Sequence, residues 1–221
     1  ATGSPVVSPP IGVDAEITVK ADSLFERITP EELWACTSCK ACDEICPVNI
    51  EILDKILDMR RYLSLMESNF PTELGSAYRS MENSSNPWAM SQTTRADWAR
   101  NLDVPVIEGE ALAEAFNHEY LYWVGCAGSF DDKNQKVTVA MAKLMQRAGI
   151  DFAILGPSEN CTDDPARRSG NEYIFQMLAM QNIESLDGMG VRKIVTQCPH
   201  CFNTLQNEYP QLGGNYEVVH H

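Results

Sequence analysis

Four cysteines lie close together near the start of the chain, in the order C-x-x-C-x-x-C-x-x-x-C-P: Cys36, Cys39, Cys42 and Cys46. Thiolates at this spacing leave one tight loop pointing inward, and the run is typical of ligands to a 4Fe-4S cluster. A zinc knuckle or a group of structural thiols is the alternative. The spacing therefore predicts that this stretch holds an iron-sulfur cluster.

The fourth cysteine of this motif raises the question of whether the ligand set is complete. In ferredoxins with two clusters, the cysteine before proline ligates the other cluster. Either the four cysteines close one cube, or Cys46 serves a cluster whose other ligands come from an upstream motif. The chain begins at Ala1 without methionine and ends at His221 within an apolar strand pattern. We therefore expect a piece of a longer protein whose upstream motif lies before Ala1.

The flanks of the motif have the patterns of helices. Thr29 and Glu32 form a capping-box pattern around Pro30, and this predicts a helix that leads into Cys36. Asn49 is a predicted cap for a second helix, in which apolar residues recur at helical spacing as far as Met66. The cluster would lie between two helices, as in an all-helical ferredoxin-like module. Trp34 either packs beside the cluster or is an ordinary core residue.

The pattern changes twice after this module. Between residues 70 and 108, proline, glycine and asparagine interrupt short helical pieces, and this predicts an extended connector followed by a short helix over residues 110–117. From Glu119 onward strands alternate with helices, which predicts a parallel sheet flanked by helices. The predicted strands are 120–124, 152–155, 193–196 and 216–219, and the predicted helices are 134–148, 165–180 and 201–209.

The remaining four cysteines follow the predicted strands. Cys126 comes after the first strand, Cys161 after the second, and Cys198 and Cys201 after the third. The carboxyl ends of parallel strands form one rim, where ligands bind, so these thiols should converge. Cys161 and Cys198 also precede predicted helix starts, so we expect helix dipoles to favour their thiolates, with Asp163, Asp164 and Pro165 in the cap and first turn.

Three kinds of chemistry suit four converging thiols. They could hold a structural zinc ion or an iron-sulfur cluster. A nucleophilic Cys126 with His200 as its base would leave three cysteines without a role. The loop from Gly125 to Gly128 is too short for a dinucleotide fingerprint.

Composition narrows the function further. The chain has 221 residues, enough for one large domain or two small ones, and a formal net charge of -14. Such an acidic chain argues against nucleic acid as a partner. No apolar run is long enough to cross a bilayer, and the first residues lack the pattern of a signal peptide.

The order Gly125-Cys126, Cys161 and Cys198-Pro199-His200-Cys201 resembles the cysteine-rich CCG domain of heterodisulfide reductase and its relatives. The stretch from Thr162 to Glu172 resembles the membrane-associated branch that is linked to electron-transfer flavoprotein and menaquinone. The resemblance covers nearly the whole chain. It implies an α/β protein in which residues 1–110 form the helical 4Fe-4S module with its connector, and residues 111–221 form the first, truncated CCG repeat.

The resemblance also implies a function. Electrons would pass from electron-transfer flavoprotein, or a similar flavoprotein donor, through the ferredoxin cluster and a second iron-sulfur cluster toward quinone. The parent chain would carry a second CCG repeat and, in some members, a membrane domain with haem, at the cytoplasmic face of the membrane. The alternatives are thiol-disulfide reduction at the CCG cluster and a zinc-stabilised interaction module with one ferredoxin cluster. All eight cysteines are predicted ligands under the electron-transfer interpretation.

One departure from the family pattern bears on the second site. The family motif has adjacent cysteines in the middle, which hold an unusual noncubane cluster, whereas Cys161 is followed by Thr162. A conventional cube, a modified cluster or zinc would replace the noncubane form, and disulfide cleavage is disfavoured. Arg167 and Arg168 either raise the potential of a nearby cluster or dock an acidic partner, or they form a solvated pair. On the predicted first turn of a helix they oppose the dipole, so we expect a local anion that compensates them. His200 either donates to a cluster sulfur or faces water.

Overall fold

A parallel four-stranded sheet organises the second half of the chain. The computed structural model describes residue 25 and residues 27–221. The strands are β1 (Tyr120–Trp123), β2 (Phe152–Ala153), β3 (Lys193–Thr196) and β4 (Glu217–His220), in the order β2-β1-β3-β4. Every pairing between neighbouring strands is parallel. The predicted α/β class and the parallel sheet are therefore confirmed.

Helices connect these strands. They are α5 (Gly125–Phe130), α6 (Asp132–Ala148), α7 (Asp164–Arg168), α8 (Glu172–Met189) and α9 (Pro199–Asn203), and α9 continues into a π-helical turn, Thr204–Glu208. The single helix predicted over residues 165–180 is wrong, because Gly170 interrupts it with a φ of 84°. A new helix begins after Asn171, whose side chain accepts a hydrogen bond from the Ile174 amide.

Each face of the sheet covers its own apolar core. Leu121 and Trp123 of β1 pack on one face with Leu178 and Leu186 of α8. Tyr122 packs on the other face with Ala142 and Met145 of α6. Alternate residues of β1 thus point to opposite faces, as the pleat requires. Burying each of the larger apolar side chains stabilises the fold by about 1.5–3 kcal/mol.

Short helices surround the first cysteine motif. They are α1 (Pro30–Trp34), α2 (Ala41–Ile45) and α3 (Ile52–Arg61), followed by a π-helical turn at Tyr62–Met66. The predicted capping box is confirmed, since the Glu32 amide donates to Thr29 Oγ1 and the Thr29 amide donates to Glu32 Oε2. The predicted cap at Asn49 is wrong: this residue has a φ of 53°, and α3 begins three residues later.

The segment between residues 70 and 108 is better ordered than a surface connector. Helix α4 (Thr72–Ser84) places Tyr78 and Met81 in the core beneath the sheet. Further along, Val106 forms a parallel bridge with Ile154 beside β2. The prediction of an extended connector was wrong because Pro71 precedes the helix instead of interrupting it. The short helix predicted over residues 110–117 is a 3₁₀ turn at Gly109–Ala113.

Residues 1–24 and residue 26 of the predicted 1–110 module lie outside the described part of the chain. Within the described part, every helix is too short or too polar to cross a membrane.

Candidate metal-cluster site

Most of the cysteines face one cleft. A cavity of about 1250 Å³ lies between the first cysteine motif and the carboxyl ends of the strands. Two cysteines from the first motif and all four from the second group line its wall: Cys36, Cys39, Cys126, Cys161, Cys198 and Cys201. Cys42 and Cys46 are not among the wall residues. The fold thus brings both predicted sites to the same opening.

The loop of the first motif turns backbone amides toward sulfur. Ser38 and Lys40 have φ values of 58° and 61°, the left-handed conformation that non-glycine residues seldom adopt. The Ser38 amide donates to Cys36 Sγ at 3.4 Å, and the Ile50 amide donates to Cys46 Sγ at 3.3 Å. Hydrogen bonds of this kind stabilise thiolate ligands and tune the potential of an iron-sulfur cluster.

The pKa values of the other two thiols of the motif are shifted in opposite directions. The Ala41 amide lowers the pKa of Cys39, which is exposed. Burial and the adjacent Asp43 raise the pKa of Cys42. The Asp43 carboxylate accepts a hydrogen bond from the Leu53 amide at 3.0 Å, which lowers the pKa of Asp43 and ties α2 to the start of α3.

A buried arginine holds the first loop against the sheet domain. Arg60 is 4% exposed, and its Nε donates to the Leu33 carbonyl at 3.1 Å. Its Nη2 donates to the Cys36 carbonyl at 2.6 Å and its Nη1 to the Arg168 carbonyl at 2.8 Å. The guanidinium also lies 5.3 Å from the ring centre of Trp34. One side chain therefore joins the cysteine loop to α7.

The second group of cysteines is more deeply placed. Cys126 lies in the first turn of α5, while Cys198 and Cys201 lie at the start of α9. Cys126, Cys161 and Cys201 are buried. A Cβ added to Gly125, whose φ is 76°, would stand 3.1 Å from Cys201 Sγ. The glycine before Cys126 therefore lets the loop after β1 approach the loop after β3.

The four thiols interact in two pairs. A hydrogen bond between Cys126 and Cys161 lowers the pKa of Cys126 and raises that of Cys161. In the same way Cys201 lowers the pKa of Cys198 to about 6, while the pKa of Cys201 is raised. At Cys161 the interaction with Cys126, burial and the nearby Asp163 oppose the thiolate that the helix dipole was predicted to favour.

A buried carboxyl group lies next to the second group. Asp163 is fully buried with a φ of 61°, and neither of its carboxylate oxygens has a hydrogen-bond partner among the described residues. Burial raises its pKa to about 8, and the Cys126 thiolate adds to the rise. A neutral carboxyl at this position avoids placing another negative charge beside the thiolates.

Sequence reasoning missed a buried ion pair at Cys126. Arg95 Nη2 lies 2.8 Å from Glu159 Oε1, and both side chains are almost fully buried. The same Nη2 lies 3.5 Å from Cys126 Sγ. Burial alone would lower the pKa of Arg95, but Cys126 and Glu159 raise it above its usual value. No sequence motif marks Arg95, which lies in the segment that was predicted to be a connector.

Arg167 and Arg168 are paired with acids instead of being solvated. Arg167 and Arg168 both contact Glu208, and Arg168 also contacts Asp164. The expected local anion is therefore present, and both arginines lie in the last turn of α7, where the helix dipole favours them. His200 Nδ1 lies 2.9 Å from Asp164 Oδ2 with its side chain 72% exposed, so it faces water.

The donor set suits an iron-sulfur cluster. Four thiols from three loops share one cleft. Hydrogen-bond donors lie close to the sulfur atoms of two of them. The Asp163 amide lies 3.4 Å from Cys161 Sγ, and Thr162 Oγ1 lies 3.7 Å from Cys201 Sγ. In the described part of the chain, no group of three or more His, Cys, Asp or Glu side chains is arranged to hold a single metal ion.

Comparisons with known proteins identify related chains. Residues 120–206 match the family model of the cysteine-rich CCG domain. The chain is 43% identical over 90% of its length to "EtfAB:quinone oxidoreductase" of Syntrophomonas wolfei, and covers 28% of that protein. It is 37% identical over 99% of its length to "Probable membrane-anchored ferredoxin" of Chromohalobacter salexigens, and covers 33% of it.

A more distant relative is one component of the "Dihydromethanophenazine:CoB--CoM heterodisulfide reductase" of Methanosarcina barkeri. The two are 25% identical over 88% of this chain, which covers 48% of that component. The chain thus spans less than half the length of each of these relatives. No solved structure matches it.

Proposed function

Because the chain is a relative of the heterodisulfide reductase-related iron-sulfur oxidoreductases and has a cysteine-rich CCG domain at residues 120–206, we propose that it is their electron-transfer component. It passes electrons from a flavoprotein donor through two 4Fe-4S clusters toward quinone. The observation that carries this proposal is the shared cleft, whose wall includes cysteines from both groups. Clusters bound at the wall of one cleft would lie near each other, and this supports electron transfer between them.

The ligands divide between the two sites. Cys36, Cys39 and Cys42 hold the first cluster, and Cys46 completes it or serves a cluster bound by an upstream motif. Cys126, Cys161, Cys198 and Cys201 hold the second. Each cluster supplies one-electron redox chemistry without a bond being made or broken in the chain. We assign residues 1–110 to the helical ferredoxin-like module with its connector and residues 111–221 to the CCG domain.

Side chains and backbone amides of the chain set the distance between the two clusters and their reduction potentials. Arg60 fixes the first loop to α7, and the amides of Ser38 and Asp163 donate to the sulfur atoms of Cys36 and Cys161. The buried walls around Cys126, Cys161 and Cys201 limit water at the second site. Low solvent access and hydrogen bonds to sulfur are the means by which a protein tunes such clusters.

The names of two relatives support the proposed partners and location. The name "EtfAB:quinone oxidoreductase" supports electron-transfer flavoprotein as the donor and a quinone-reducing module as the acceptor. The name "Probable membrane-anchored ferredoxin" supports work at the membrane, which we place at its cytoplasmic face. The net charge of -14 is unsuited to nucleic acid.

Thiol-disulfide reduction is the weaker alternative at the second site. A fifth thiol beside Cys161 would be needed for the family's noncubane cluster, and Thr162 stands there. This threonine is buried, and its hydroxyl approaches Cys201 Sγ. A hydroxyl replaces the thiol on which the disulfide chemistry would depend.

Anaerobic iron and sulfide analysis with EPR after dithionite reduction tests the proposal. We expect iron and sulfide for two clusters in the wild-type protein, and loss of one EPR signal in Cys198→Ser. Stoichiometric zinc that is lost in Cys198→Ser, together with iron for one cluster or less, would mean that the CCG domain is structural and would overturn the two-cluster path.

A further inference from the structure

The buried ion pair between Arg95 and Glu159 surrounds the backbone that presents Cys126. Glu159 Oε2 accepts a hydrogen bond from the Val124 amide at 2.9 Å, and Oε1 accepts one from the Gly125 amide at 2.8 Å. Arg95 Nη2 contacts both Glu159 Oε1 and Cys126 Sγ. The acid thus fixes the two residues before the cysteine, while the arginine reaches its sulfur.

Burying this ion pair is costly for the stability of the fold. Removing two charges from water is unfavourable, and the attraction between them offsets this only in part. Arg95 is 1% exposed and Glu159 2%, so both bear this penalty. The pair lies beside the predicted ligand sulfur of Cys126, and a guanidinium near a thiolate stabilises the negative charge of that thiolate.

The arginine comes from outside the region that matches the CCG family model. It follows a 3₁₀ turn, Gln92–Thr94, and Gln92 Nε2 donates to the Glu159 carbonyl at 3.0 Å. The Cys161 amide donates to the Ser85 carbonyl at 2.9 Å, which attaches the same segment to the second cysteine loop. Residues 85–95 therefore contact the second cysteine group from outside the region that matches the CCG family model.

We propose that Arg95 is a positioning residue for the second cluster: with Glu159 it holds Cys126 in ligating orientation, and its positive charge raises the reduction potential of that cluster. The inference rests on the proposed function, because it requires a cluster at Cys126. A positive charge near a cluster favours the reduced state, which carries one more electron. The thiolate of Cys126 also gains a charge-assisted hydrogen bond.

The charge argument gives opposite signs for the two partners. Arg95→Gln removes the cation, so the potential of the second cluster should fall. Glu159→Gln removes the anion but leaves the Arg95 cation, so the potential should rise. Structural damage alone would not shift the potential in opposite directions.

EPR-monitored redox titration of the intact chain, with the signal of the first cluster as internal reference, measures both effects. We expect a downward shift of the second midpoint in Arg95→Gln, an upward shift in Glu159→Gln, and a midpoint close to wild type in Arg95→Lys. Arg100→Gln is the matched control, since Arg100 follows closely after Arg95 in the chain, is exposed, and pairs only with Asp97 among the ion pairs of the described residues. Its midpoint should not change.

The outcomes separate the inference from the proposed function. Wild-type protein without a second cluster overturns both. A second cluster whose midpoint is unchanged in Arg95→Gln and Glu159→Gln, or shifts the same way in both, overturns the inference alone. If Arg95→Gln loses the second cluster's iron, the inference requires that Glu159→Gln raise the midpoint and that Arg95→Lys keep it close to wild type. A Glu159→Gln midpoint that is unchanged or lower, or an Arg95→Lys midpoint that shifts, would then overturn it.

Discussion

The backbone of Gly170 lies directly against the backbone of Arg60, so that a Cβ on this glycine would collide with the Arg60 carbonyl group. Around this contact, Ser64 Oγ donates to the Ser169 carbonyl at 2.8 Å and Tyr78 Oη donates to Ser169 Oγ at 2.8 Å. The helix that follows the first cysteine motif is thus docked on the turn between α7 and α8, and this docking sets the geometry between the two cysteine groups.

Gly170→Ala should destabilise the docked structure. The new methyl group meets backbone instead of a flexible side chain, and the φ of 84° disfavours any L side chain. A residue forced into such a conformation costs about 1–3 kcal/mol before the collision is counted. Urea denaturation should show a lower free energy of unfolding than wild type by at least that amount.

Gly188→Ala is the matched control for this substitution. Gly188 lies within α8, and a Cβ there meets no other atom within 4 Å. Alanine is favoured over glycine by about 1 kcal/mol in a helix interior and by less in the last turn, where Gly188 lies, so this variant should be as stable as wild type or slightly more stable. Equal stability of the two alanine variants would contradict the tight contact between Gly170 and Arg60.

Arg60→Gln should loosen the first cysteine loop. The shorter amide cannot reach the carbonyl groups of Leu33, Cys36 and Arg168 together, and buried acceptors without donors cost about 1–3 kcal/mol each. We expect a free energy of unfolding lower by about 3 kcal/mol, and faster loss of iron from the first cluster during incubation with a chelator. Arg79→Gln provides the comparison, because Arg79 is exposed and bonds only to its own helix in the described structure. Similar iron loss in both variants would count against a clamp at Arg60.

The sequence predicted the elements whose signal is local. The alternation after Glu119 gave the parallel sheet, and the Thr29 capping box gave the start of α1. Placing Cys126, Cys161, Cys198 and Cys201 at strand ends was enough to bring them to one rim, because parallel strands end on the same side. Periodicity and chain direction thus carried the main architecture.

Contacts between distant residues could not be predicted in this way. Arg95 has a role only because its segment folds back on Glu159, which is 64 residues away in sequence. Helix α4 was missed because Pro71 and Gly75 resemble helix breakers, although proline before a first turn and a glycine packed against Phe70 are both tolerated. Contacts between residues far apart in sequence can be identified only in the folded structure, where the two segments meet.

Cys39→Ser and Cys198→Ser should each remove one cluster and spare the other. The ligands of the two sites come from separate segments, and Cys39 is exposed whereas Cys198 lies at the start of α9. Each variant should therefore lose about half of the iron and sulfide of the wild type. Loss of all metal in Cys39→Ser would contradict two separate sites. So would a folded variant, shown by an unchanged far-UV spectrum, that keeps the EPR signals of both clusters.

Glu208→Gln tests the charge network beneath the second site. Glu208 is 8% exposed and contacts both Arg167 and Arg168, and Asn203 Nδ2 donates to its Oε1 at 3.1 Å. Removing one partner of a buried pair leaves an uncompensated charge, and such changes cost about 3–5 kcal/mol. Asp164 and Glu172 still contact these arginines, so we expect the lower end, a loss of about 3 kcal/mol in the free energy of unfolding.

A double-mutant cycle separates this network from general damage. Arg168→Gln combined with Glu208→Gln should be less destabilised than the sum of the single variants, with a coupling of at least about 1 kcal/mol for residues in contact. Glu184→Gln is the control, because Glu184 is exposed on α8 and its replacement should change stability by no more than about 0.5 kcal/mol. Strict additivity of Arg168→Gln and Glu208→Gln would mean that the acid stabilises the π-helical turn at Thr204–Glu208 by itself, and that the arginines beside the cleft are held by Asp164 and Glu172.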